Sequence, residues 1–172
     1  MRTSKLPAVL AVVVAGVACS DNLTAPVTSW NAIINVANEV PAPTGTSTLG
    51  GTATVSIASG TLTYTLVLTG TPTSAISAAH IHAQTSTGAA TPAGTGGGVV
   101  RINLCGAGTA PACPAGAGTV SGTVATAPLG TPALSMDGLA TQLRAYGAYV
   151  NVHTATNVGG EARGQLVVPN LP

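Results

Sequence analysis

Apolar and polar residues alternate with a period of two along much of this chain. In GTATVSIASG, Ala53, Val55 and Ile57 alternate with Thr52, Thr54 and Ser56. In TLTYTLVLTG, Leu62, Tyr64, Leu66 and Leu68 stand out of phase with Thr63, Thr65 and Thr69. That period marks antiparallel strands with one face in a core, and the junction ASGTL between the two runs predicts a hairpin. Further short runs, WNAIINV, SAISAAHIHA, GVVRINLC, GTVSGTV, AYVNVHT and EARGQLVV, are separated by clusters of Gly, Pro, Ser and Thr, which punctuate strands. TPAGTGGGV and GTAPACPAGAG read as loops. Only MDGLATQLRA has helical spacing, with Leu139 and Leu143 on one side, Asp137 as the expected N-cap and Arg144 at the end where a cation suits the dipole. Eight short strands and one short helix predict an all-β fold, an antiparallel Greek-key β-sandwich or barrel over residues 30–170.

The N-terminus does not follow this pattern. Arg2 and Lys5 precede the 13-residue apolar run LPAVLAVVVAGVA, and Cys19 follows at once. The run is short for a membrane span and reads as a signal peptide over residues 1–18. Its end, GVAC before Ser20 and Asp21, resembles a bacterial lipoprotein cleavage box, although Gly16 stands where such boxes usually carry Leu. That resemblance implies lipidation of Cys19, a tether over residues 19–29, and a membrane partner through the lipid anchor. The protein is then expected to be exported to the cell envelope, at the outer membrane or cell surface. Ordinary cleavage that discards Cys19 would leave it secreted.

Cysteine usage fits export. With Cys19 set apart, Cys105 and Cys113 form an even pair around GAGTAPA, in a compartment where disulfides persist. Closing so short a loop is worth roughly 2–3 kcal/mol on a chain-entropy account. The spacing is not that of a zinc knuckle.

Charge removes one class of partner. After the leader, the cations are Arg101, Arg144 and Arg163 and the acids Asp21, Glu39, Asp137 and Glu161, a balance of 3 − 4 = −1. Three scattered arginines cannot supply the clustered charge that nucleic-acid binding draws on. Catalytic signatures are also lacking: there is no GxSxG elbow, and the four acids are far apart in sequence. No catalytic residue is assigned.

The histidines carry the remaining chemistry. In SAAHIHAQTSTG, His80 and His82 are two apart and project from one strand face about 7 Å from each other. Ala79, Ile81 and Ala83 take the opposite face. In AYVNVHT, Val150 and Val152 share one face, and Tyr149, Asn151 and His153 the other. Two imidazoles at i, i+2 with a third from a neighbouring strand would make a three-point site for copper or zinc with an open position. The alternative is that the rings hydrogen-bond backbone or side chains around a loop. Glu161 and Arg163 are likewise two apart near the C-terminus, which predicts a structural ion pair between them or, across the sheet, between Glu161 and Arg101.

NEVPAP, LTYTLVLTG, AHIHA before a Gly-rich loop, VVRINLC and AYVNVHTATNVGGEARGQL, in that order, resemble the CHRD domain, named from chordin, over roughly residues 30–168. The resemblance implies an extracytoplasmic β-rich module with a binding or structural role, its ligand an extracellular protein or another molecule. A second similarity is to copper-zinc superoxide dismutases, in the order HIH, VNVH and GG followed by Arg. It would make His80, His82 and His153 copper ligands and Arg163 an anion-guiding cation. The chain lacks a fourth copper histidine, the zinc-site histidines and a cysteine shortly after Arg163, so what carries over is the sandwich rather than dismutase activity.

Overall fold

The computed structural model describes residues 28–84 and 97–169. The expected signal peptide, Cys19, the expected tether up to residue 27 and most of the Gly-rich loop after His82 lie outside the described residues, whereas Ser29, read as the end of the tether, already belongs to the first strand. Among the described residues eight strands form: β1 (Ser29–Asn35), β2 (Gly50–Ala58), β3 (Thr61–Thr69), β4 (Ile76–Ala83), β5 (Val99–Cys105), β6 (Gly118–Val124), β7 (Ala148–Thr154) and β8 (Ala162–Gln165). One helix, α1 (Met136–Arg144), stands between β6 and β7.

The strands make one antiparallel sheet in the order β5-β4-β7-β8-β1-β2-β3-β6. The sheet curls until its two ends, β5 and β6, come alongside each other without a ladder between them. The result is a nearly closed barrel whose facing halves pack as the layers of a sandwich do, the all-β fold with one short helix that the alternation predicts. β1, β2 and β3 follow one another as a meander, whereas β8 returns to flank β1 and β6 to flank β3. Those returns give the topology its Greek-key character.

The period of two reappears as burial. Ala53, Val55 and Ile57 on β2 face Leu62, Tyr64 and Leu66 on β3, all in the core. The β2–β3 connection is the two-residue turn Ser59-Gly60, both at positive φ, the hairpin geometry whose twist matches that of the strands. Trp30, Ala32 and Ile34 extend the core along β1, and Leu139 and Leu143 of α1 add to it. Tyr64 ties the halves together, its hydroxyl donating to the Leu104 carbonyl at 2.7 Å. Cys105, at the end of β5, is bonded to Cys113 as expected.

The helix starts two residues earlier than an Asp137 cap would place it. Ser135, not Asp137, is the N-cap: its hydroxyl accepts from the Gly138 N–H at 3.0 Å. Asp137 occupies the first turn, where its charge still meets the positive end of the dipole.

Candidate metal centre

β4 and β7 are neighbours, and their register decides what lies beside what. Ile81 pairs with Val150 and Ala79 with Val152, facing inward; His82 pairs with Tyr149, His80 with Asn151 and Ala78 with His153, facing outward. A one-residue slip would exchange these sets, so the aliphatic face fixes the histidines on the other. That outer face is covered: every residue of β7 is buried, and His80 and His82 are half-buried.

The three imidazoles converge. Nδ1 of His80 lies 3.2 Å from Nε2 of His153, and one nitrogen from each of His80, His82 and His153 lies within 4.8 Å of the others. Nitrogens so spaced fall within about 2.8 Å of a common point, against zinc–imidazole bonds of about 2.0–2.1 Å. A bound metal would have to draw the nitrogens inward by about 0.7 Å.

Backbone carbonyls orient two of the rings. His82 Nδ1–H donates to Gly98 O at 3.2 Å, and His153 Nδ1–H donates to Val158 O at 3.0 Å. A carbonyl only accepts, so both rings keep the proton on Nδ1 and carry their lone pair on Nε2. In His82 that Nε2 is buried with no hydrogen-bond partner among the described residues. A carbonyl behind each ring is the support that metal-binding histidines ordinarily have. In the metal-free arrangement, His80 Nδ1–H donates to His153 Nε2.

Desolvation lowers the pKa of all three rings. For His80 it acts with repulsion from His153 and His82 and brings the value to about 4. In His82 it outweighs the Gly98 bond, with His153 and Arg163 adding repulsion, and in His153 it outweighs the Val158 bond. Neutral imidazole is the form that ligates a metal.

Around the histidines lies a second group of buried polar residues. The Tyr149 ring stacks on His82, centroids 5.1 Å apart and planes 9° from parallel, and the Arg163 guanidinium carbon sits 3.4 Å from the Tyr149 centroid. With β7 between β4 and β8, Tyr149 is flanked by an imidazole from one neighbour and a cation from the other. Glu39, which follows a single 3-10 turn at Val36–Asn38, is buried here. Desolvation raises its pKa against the Val40 N–H bond, the field of Arg163 and the Asn151 side chain. The alternation puts Tyr149 and Asn151 on this face, whereas Glu39 lies on an aperiodic segment whose only signal is the NEVPAP motif.

The expected pairing of Glu161 with Arg163 or Arg101 is not what forms. Glu161 lies in the bend before β8, outside the alternation that places Arg163. Its buried carboxylate accepts from Ser47 (2.7 Å), the Thr73 N–H (2.8 Å), the Thr73 hydroxyl, Thr154 (2.6 Å) and Asn157 (2.9 Å). Desolvation pushes its pKa up, but the donors from Thr154, Thr73, Ser47 and Asn157 outweigh it and bring the value down to about 2. Arg101 instead donates to the carbonyls of Leu129 and Pro132.

The family pattern of the CHRD domain matches residues 30–166. The chain belongs to the CHRD-domain family. This CHRD domain spans the whole barrel, from Trp30 in β1 past the end of β8, and includes all three histidines, Glu39 and Arg163. No curated protein and no solved structure matches the chain significantly. Among the described residues, no helix is long and apolar enough to cross a membrane.

Proposed function

We propose that this protein is a cell-envelope lipoprotein whose CHRD domain is an extracytoplasmic binding module, and that the module holds a copper or zinc ion through His80, His82 and His153. The observation that carries the metal reading is the convergence of three nitrogens within 4.8 Å of one another, with two rings oriented by backbone carbonyls. An all-imidazole set suits both metals. The reading is of a binding module rather than an enzyme. The anchor rests on the apolar leader and the cysteine that ends it.

Metal analysis with copper and zinc titrations of the wild type and His82→Ala tests the site. One equivalent bound by the wild type, at least tenfold weaker in the variant, is expected. No stoichiometric metal, or equal binding by both proteins, would overturn it and leave the histidines as a structural polar cluster. Mass spectrometry of the mature N-terminus tests the anchor: a diacylglyceryl mass on Cys19 is expected, and an unmodified terminus downstream of it would refute lipidation.

A further inference from the structure

A second polar anomaly lies at the open seam of the barrel. On β5 the ladder to β4 slips, Ile102 pairing with Ile81 and Val100 with His82, so Arg101 is the extra residue of a bulge. Bulges re-aim side chains, and this one leaves a guanidinium fully buried. Nη1 of Arg101 donates to Leu129 O at 2.8 Å and Pro132 O at 2.9 Å, and the Arg101 carbonyl accepts from the Leu129 N–H at 2.8 Å. These bonds lace the segment 129–132 to β5 and fix the plane of the guanidinium. Nε and Nη2 have no hydrogen-bond partner among the described residues. They are the two donors of one guanidinium edge, the fork that grips a carboxylate through two parallel N–H bonds.

A buried charge is unfavourable unless it is paired and hydrogen-bonded, yet the described acids lie elsewhere. Glu161 is held by hydroxyls and amides, Glu39 stands in the field of Arg163, and Asp137 lies in the first turn of α1. Burial lowers the Arg101 pKa, with no carboxylate set against it.

Arg101 is also part of the wall of a cleft of about 290 Å³ between β5 and β6, where the sheet lacks its ladder. Ile102, Val124, Ala127 and Leu129 give that wall an apolar side, and Asn103 and Thr126 add polar groups. We propose that the seam cleft binds a small organic acid: the two strands, which no ladder joins, part enough to admit its carboxylate to the buried Nε and Nη2 of Arg101, and its hydrocarbon part lies against Ile102, Val124 and Leu129. The missing countercharge and the missing neighbour strand are thereby supplied at one place. The apolar side is what distinguishes an organic acid from inorganic phosphate.

The test is thermal unfolding of the intact protein with acetate, butanoate, hexanoate or inorganic phosphate, against chloride at constant ionic strength. A saturable rise in Tm that grows along the carboxylate series is expected, with apparent affinity at least tenfold weaker in Arg101→Met. Because that variant also releases segment 129–132, Ala127→Trp serves as a second one. Ala127 is exposed, so the indole fills the cleft while Arg101 stays in place, and the carboxylate effect is expected to vanish. No saturable rise in the wild type, equal rises in the wild type and both variants, or a response to phosphate alone would overturn the proposal.

Discussion

Nδ1 of His80 and Nε2 of His153 stand 3.2 Å apart on adjacent strands. The Val158 carbonyl behind His153 leaves Nε2 as its acceptor, so in the metal-free protein the proton between the rings belongs to His80. Nitrogen-15 NMR at neutral pH is therefore expected to show all three histidines in the Nδ1–H form, the less common tautomer in water. A zinc or copper(I) ion would displace the His80 proton and turn that ring alone to Nε2–H. Finding His82 or His153 as Nε2–H in the free protein would contradict the carbonyl contacts.

Glu161 carries a pH dependence of known sign. Its folded pKa of about 2 lies below the ordinary 4.5, so its contribution is present above pH 4.5 and is lost as pH falls toward 2. Glu161→Gln removes a charged acceptor from several donors, each such bond being worth about 1.5–3 kcal/mol. A loss of about 2–4 kcal/mol at pH 7 is expected from urea unfolding, and the gap between variant and wild type should narrow steadily from pH 4.5 to 2.

How much of this was legible in the chain depends on whether a residue obeys the period of its strand. His80, His82 and His153 do, and the inward aliphatic residues between them determine the face they share. Their neighbourhood across β4 and β7 follows from register, which the alternation sets once the strands are adjacent. Arg101 and Glu161 break the rule, one as the extra residue of a bulge and the other in a bend before its strand begins. Neither position has a periodic signature, so spacing alone paired Glu161 with the wrong kind of partner. Glu39 is beyond periodicity altogether, because it reaches the site from a turn after β1.

The cap of α1 separates two readings of SMDG. With Ser135 accepting the Gly138 N–H, Ser135→Ala is expected to destabilise by about 1 kcal/mol. Asp137→Asn removes only a dipole interaction of about 0.3–1 kcal/mol. Salt discriminates further, since the effect of Asp137→Asn should shrink in high salt while that of Ser135→Ala should not. Denaturant midpoints with and without salt check both.

Gly159 and Gly160 are adjacent in sequence but not in what they tolerate. A Cβ on Gly160 would stand 2.7 Å from the Glu39 carboxyl carbon and from both amide atoms of Asn151, at a φ of +136° that L-residues rarely adopt. A Cβ on Gly159 meets nothing within 4 Å. Gly160→Ala must therefore displace Glu39 and Asn151 or bend the entry to β8, and Arg163, two residues on, moves with it. The expected loss is about 2–4 kcal/mol, whereas Gly159→Ala should stay within about 0.5 kcal/mol of wild type. Beyond stability, Gly160→Ala should weaken the stacking of Arg163 and His82 on Tyr149. Tyrosine fluorescence and near-ultraviolet circular dichroism report this at temperatures where the variant remains folded. Equal behaviour of the two alanine variants would mean that Glu39 and Asn151 do not close over Gly160 in solution.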